Sequence, residues 1–236
     1  MQRKQRIRLC CAAALALAAG CTTDSGGSMI IVQNQVPDDG CIIPSSQSAT
    51  FRGRGIIDVQ AGEGYVFTPL LQSLVLENTT SDSPRVVAVR GADVDLSFPD
   101  GFFSAEEETE LQGSRLTRFS TAFSGSVFPG AFTSFGFVIV PRGLLERLDV
   151  ELGSGEQVAV TAEVTVFGEL DGDDVDSVPF IYPVDVCDGC MRIDNGDCTS
   201  LGDNFEPLEG GECNLLQDVQ VDCCTVGGAV RCPVPT

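Results

Sequence analysis

The sequence predicts an all-β protein, an antiparallel β-sandwich of immunoglobulin-like or jelly-roll-like type that ends in a small disulfide-stapled module. Three observations carry that expectation. Apolar and polar residues alternate over much of positions 29–186, and Gly, Pro and Asp punctuate those runs at short intervals. Seven of the eight cysteines beyond position 21 crowd into 187–232, leaving Cys41 alone in the first part. The chain therefore divides into a signal segment 1–20, a tether 21–28, a sandwich domain 29–186 and a cysteine-rich module 187–236.

The strands follow from the period of the side chains. In 157–167, Val158, Val160, Ala162, Val164 and Val166 fall on one side and Thr161, Glu163 and Thr165 on the other, as a half-buried strand requires. Val178, Phe180, Tyr182, Val184 and Val186 repeat that period after Asp171-Gly172-Asp173-Asp174, which predicts a hairpin. Val94, Leu96 and Phe98 alternate with Asp93, Asp95 and Ser97, and further strands are expected at 30–36, 55–60, 64–78, 85–89, 118–128 and 131–140. Eight or nine short strands of this kind suit a sandwich. Outside the signal, helix is expected at 141–148, where Pro141 suits a first turn and Leu144, Leu145 and Leu148 share one face. Ser104-Ala105-Glu106-Glu107 has the form of a capping box. With Glu106, Glu107, Glu108 and Glu110 repelling one another, however, a solvated loop is expected there.

The N-terminus has the marks of export. Arg3, Lys4, Arg6 and Arg8 precede an apolar run over 9–19, too short for the roughly 20 residues of a spanning helix. Leu17-Ala18-Ala19-Gly20-Cys21 resembles a bacterial lipobox, which implies acylation of the Cys21 thiol. Ala18 stands where Leu is commoner. Residues 22–28 then read as a flexible polar tether, and with Thr22 rather than Asp after the cysteine, the resemblance to sorted Gram-negative lipoproteins implies the outer membrane. The membrane is thus an expected partner, reached through a lipid.

Charge narrows the remaining partners. Removal of 1–20 leaves ten basic residues, all Arg, against thirty-four acids, a formal charge of −24. Such a body repels phosphate backbones, so no nucleic-acid partner is expected, and a protein or envelope polymer is.

Cys41, Cys187, Cys190, Cys198, Cys213, Cys223, Cys224 and Cys232 form an even set expected to make structural disulfides, with Cys41 reaching into the module. A zinc ribbon usually has two C-x-x-C knuckles, and only Cys187-Asp188-Gly189-Cys190 is present. Adjacent Cys223 and Cys224 are expected to bond different partners. The stretches Tyr182-Pro183-Val184-Asp185-Val186-Cys187-Asp188-Gly189-Cys190 and Gln217-Asp218-Val219-Gln220-Val221-Asp222-Cys223-Cys224 resemble the C-terminal signature of disulfide-rich lipoproteins of Gram-negative bacteria. That resemblance implies export and a cysteine-stapled end, and transfers no functional residue.

Candidate sites are few. Asp171, Asp173, Asp174 and Asp176 supply oxygens to one turn, a weak calcium candidate, but Val175 and Asp176 break the EF-hand order and aspartates favour turns by themselves. No cofactor is expected. Phe119, Phe123, Phe128, Phe132, Phe135 and Phe137 are expected to supply core in a chain without Trp. The absence of His, and of Lys beyond the signal, removes the usual activation of a serine nucleophile. The expectation is a non-enzymatic, lipid-anchored envelope module that binds or scaffolds. A calcium-dependent adhesion module and a glycoside hydrolase using two carboxylates are the alternatives.

Overall fold

A computed structural model describes residues 27–77, 85–202, 205–211 and 213–233. Its strands are β1 (Met29–Gln35), β2 (Phe51–Arg52), β3 (Gly55–Asp58), β4 (Gly64–Phe67), β5 (Pro69–Ser73) and β6 (Val87–Ser97). After α1 (Ala105–Gly113) come β7 (Arg118–Val127), β8 (Phe132–Ser134), β9 (Phe137–Pro141) and α2 (Arg142–Glu151). The chain closes with β10 (Gln157–Leu170), β11 (Asp173–Asp176), β12 (Phe180–Cys187), β13 (Arg192–Asp197), β14 (Val221–Val226) and β15 (Ala229–Arg231).

The fold is all-β. A four-stranded sheet runs β2-β1-β5-β8 and a larger sheet runs β3-β12-β10-β6-β7, with β11 paired to β10. Met29, Ile31 and Leu71 of the first sheet share one buried cluster with Val94, Val160, Val164 and Val184 of the second, so the inner faces form a single core. Pairing is mostly antiparallel, but β12–β3 and β13–β14 are parallel, so the sheets are mixed. The alternation read in 157–167 is seen directly: Val158, Val160, Ala162, Val164 and Val166 are buried and Glu163 is exposed.

Several expectations require correction. The strand expected over 64–78 is two strands within 64–73, because the chain leaves β4, paired with β9, and enters β5, paired with β1, and Asn78 lies outside the described residues. Residues 131–140 likewise divide between β8 and β9 in two sheets. Conversely, 87–89 and 94–97 belong to one strand, β6, whose register shifts around Arg90 against both neighbours and bends the sheet there. The hairpin across 157–186 forms between β10 and β12, with β11 inserted on the way and Val178 exposed rather than inward.

The expected loop at 104–110 is helix α1. Its capping box is complete: the Ser104 hydroxyl accepts from the Glu107 N–H at 3.3 Å, and the Glu107 carboxylate accepts from the Ser104 N–H at 2.9 Å. Glu107 also accepts from Arg147 of α2 at 2.9 Å, and Leu111 docks into the core. These contacts outweigh the mutual repulsion of the glutamates. Helix α2 extends to Glu151, with Pro141 at its N-cap and Leu144, Leu145 and Leu148 fully buried.

The cysteine-rich end packs against the sandwich. Sheet β13-β14-β15 is separate, but Cys187, Met191, Leu216, Val221 and Cys223 belong to the same buried cluster as the sandwich. Disulfides join Cys41 to Cys213, Cys187 to Cys190, Cys198 to Cys224 and Cys223 to Cys232. Cys41 thus ties the start of the fold to its end, and the adjacent cysteines have different partners.

Candidate functional site

Two polar features stand out, a buried clasp and an open groove. The clasp forms where residues 214–218 run beside β3. Asp58 N–H donates to the Leu216 carbonyl at 3.1 Å and Asp218 N–H to the Ile56 carbonyl at 2.9 Å. The Asp218 carboxylate accepts in return from the Ile56 N–H at 2.9 Å, so the segment covers that edge of the large sheet. Between those contacts the Gln217 amide pairs with both backbone groups of Val66 in β4, donating at 2.8 Å and accepting at 2.8 Å. One side chain thereby does the work of a neighbouring strand. This placement holds Leu216 at φ 68° and Asp218 at φ 61°, in the left-handed region, which costs on the order of 1 kcal/mol or more for a residue with a Cβ.

The clasp encloses a chain of hydroxyls. Asn34 of β1 donates to the Tyr182 hydroxyl at 2.8 Å, the Tyr182 and Tyr65 hydroxyls lie 3.0 Å apart, and Tyr65 donates to Asp218 at 3.0 Å. Since each phenol has one proton and that of Tyr65 goes to Asp218, Tyr182 donates to Tyr65. Arg52 lies 3.6 Å from the same carboxylate. Burial pushes the Asp218 carboxyl above its ordinary range, against the opposing pull of the Ile56 N–H and Arg52. Burial also raises Tyr65 well above a normal phenol, and the neighbouring Asp218 charge adds to it. The pocket beside Asp218, between Val36, Pro37, Arg52 and Gly210, has a volume of about 100 Å³. At about 30 Å³ per water that admits a few solvent molecules and no sugar or peptide. Asp218, with its raised carboxyl, is therefore a structural group that fastens the C-terminal segment to the sandwich.

The groove lies on the outer face of the large sheet and measures about 610 Å³, within the range of ligand sites. Its floor consists of outward-pointing residues of three adjacent strands: Asp93 and Asp95 of β6, Arg118 and Ser120 of β7, and Glu163 and Thr165 of β10. Cross-strand register sets Asp95 between Arg118 and Glu163, and Asp93 between Ser120 and Thr165. Arg118 pairs with Asp95 through two nitrogens, and the Ser120 hydroxyl donates to Asp93. Arg115, at φ 60°, stands at the rim. This shallow, charged, hydrogen-bonding surface suits a polar polymer or a protein segment, and has no apolar pocket to enclose a small molecule.

The other expected sites are placed as follows. Cys21 lies outside the described residues. Asp171, at φ 57°, pairs with Arg85, while Asp173, Asp174 and Asp176 lie along β11 opposite Leu170, Glu169 and Phe167. Among the described residues no three metal-ligating side chains gather. Phe123 stacks on Phe137 at 4.7 Å and contacts Phe135 at 5.1 Å, so these rings are packed, whereas Phe128 is exposed. Comparison with family models, with curated proteins and with solved structures gave no match.

Alternation of Asp93, Asp95 and Glu163 with apolar residues was the available signal for the groove. The clasp had none, because Asn34, Tyr65, Tyr182 and Asp218 are brought together only by the fold.

Proposed function

We propose that this chain is a lipid-anchored cell-envelope protein, held at the outer membrane through Cys21, that acts as a non-catalytic binding or structural module. The observation that carries this reading is the pairing of all eight cysteines of the body with one another. Four disulfides suit an oxidising, exported setting. They account for every cysteine beyond position 21 and do not bear on Cys21, which stands at the position the lipobox assigns to the acyl group. Only residues 22–28 separate it from Met29, the first residue of β1, so the body stays close to the membrane.

The groove is the binding surface in this reading, offered to a protein or envelope polymer by donors and acceptors of both charges. Two of its three carboxylates, Asp93 and Asp95, are engaged by Ser120 and Arg118. That arrangement favours recognition over the acid and nucleophile pair of a glycoside hydrolase. The pairing of Asp171 with Arg85 likewise favours an ordinary acidic turn over a calcium cage.

Fractionation tests the reading. Wild-type protein should sediment with membranes and the Cys21→Ser variant should be recovered in the soluble fraction. Equal membrane association of the two would count against it.

A further inference from the structure

We propose that the end of the sandwich around Gly27 is a membrane-contact face, a reading that rests on the anchoring of Cys21 and adds which side chains enter the lipid. Gly27 lies between two exposed apolar segments. On one side the Leu74 N–H donates to the Ser28 carbonyl at 2.8 Å, and Leu74, Leu76, Arg85 and Leu170 line one open recess with Gly27 and Ser28. On the other, a Cβ placed on Gly27 would stand 3.1 Å from the Val178 nitrogen. Val75 turns inward and is buried, so Leu74 and Leu76 project together, 47% and 85% exposed, and Val178 is 54% exposed. Large apolar side chains grouped in water mark an interaction surface.

The occupant follows from the length of chain that precedes the fold. Six residue steps join Cys21 to Gly27, a span of at most about 22 Å even when fully extended. A compact chain of about 200 residues is about 40 Å across. A body held through Cys21 therefore cannot turn its far end to the bilayer, and the Gly27 end, with its exposed leucines, meets the lipid. Arg85, in the recess, is already paired with Asp171, and the chain beyond position 20 has a formal charge of −24. The face thus offers apolar side chains and no spare cation, which selects a surface of neutral headgroups over an anionic one. Leu74 and Leu76 enter its interfacial zone, with Val178 at the border.

The chain has no Trp, so one introduced indole reports on one place. Leu76→Trp, Val178→Trp and Ile42→Trp are each prepared as lipidated, disulfide-bonded protein in phosphatidylcholine vesicles, with and without brominated acyl chains. Ile42, which follows the other end of β1 and is 66% exposed, is the control. Co-sedimentation with the vesicles reads the anchor, and quenching by bromine reads the face. The indoles at 76 and 178 should emit further to the blue on vesicles and be quenched, and the indole at 42 should do neither. Leu74→Asp combined with Leu76→Asp should abolish quenching at 178 while the protein stays on the vesicles. Thermal melts certify that each variant is folded, and Leu74→Ser with Leu76→Ser serves if the double Asp variant is not. Protein that stays on the vesicles with 76 and 178 quenched no more than 42 overturns the face and leaves the anchor standing. So does quenching at 178 that survives in the folded double variant. Protein that does not sediment with the vesicles removes the anchor and the face with it. A blue shift of Leu76→Trp in the vesicle-free Cys21→Ser body that grows with concentration assigns the surface to a second copy instead, against the proposal.

Discussion

The Tyr65 hydroxyl donates to Asp218 at 3.0 Å across 153 residues of sequence. That contact is the centre of the clasp holding the C-terminal segment on the sandwich. Asp218 also satisfies the Ile56 N–H and faces Arg52, so its removal strands several buried groups at once. Asp218→Ala should lower unfolding stability by about 3 kcal/mol, the range for breaking a buried charged hydrogen-bond network. Alanine is also worse than aspartate in the left-handed conformation. Chemical denaturation measures the loss, and a change within experimental error would show that the clasp contributes nothing.

The same contact makes the fold sensitive to alkali. Burial raises the Tyr65 phenol well above the ordinary phenol value of about 10, so in the window just above that pH the unfolded chain gives up this proton and the folded one keeps it. The unfolded state then binds fewer protons, and stability falls as pH rises through that window. Tyr65→Phe should flatten this alkaline slope while lowering stability at neutral pH through the lost hydrogen bonds. An unchanged slope in the variant would assign the alkaline loss to other groups.

The disulfides should differ in weight. Cys41–Cys213 spans a sequence separation of 172 and Cys187–Cys190 a separation of 3. In the chain-entropy model these closures stabilise by about 5 and about 2 kcal/mol. Replacing Cys41 and Cys213 together by Ser should therefore move the denaturation midpoint further than replacing Cys187 and Cys190. The reverse order would show that local packing around buried Cys187 outweighs loop closure.

Divalent cations should act without selectivity. With Asp171 paired to Arg85 and Asp173 to Asp176 laid along a strand, calcium has no assembled cage, and a body of charge near −24 attracts divalent ions diffusely. Millimolar calcium and magnesium should raise the melting temperature by similar small amounts, with Asp173→Asn inert. A large calcium-selective rise abolished by that substitution would restore the adhesion-module alternative.

Period and cysteine parity are legible in the sequence, the latter even for the distant link of Cys41 to the module, whereas polar contacts between distant residues are not. Strand β10 was legible because burial enforces its alternation over fourteen residues. Strand β6 read as two pieces because Arg90 and Gly91 interrupt the pattern at the very place where the register shifts. Helix α1 is hidden in the sequence because repulsion among its glutamates is local and visible, whereas Arg147, which pairs with Glu107, lies forty residues away and the burial of Leu111 depends on the fold. The groove was half legible, as a polar face without its strand neighbours. The clasp was illegible, since Gln217 and Asp218 resemble any polar pair until Val66 and Tyr65 are placed beside them.

The central claim is attachment through Cys21, and the mass of the reduced, membrane-extracted protein tests it most directly. The account predicts a chain that begins at Cys21 and carries a diacylglyceryl group together with an amide-linked acyl chain. A chain that begins after Ala18 with an unmodified N-terminus would contradict it.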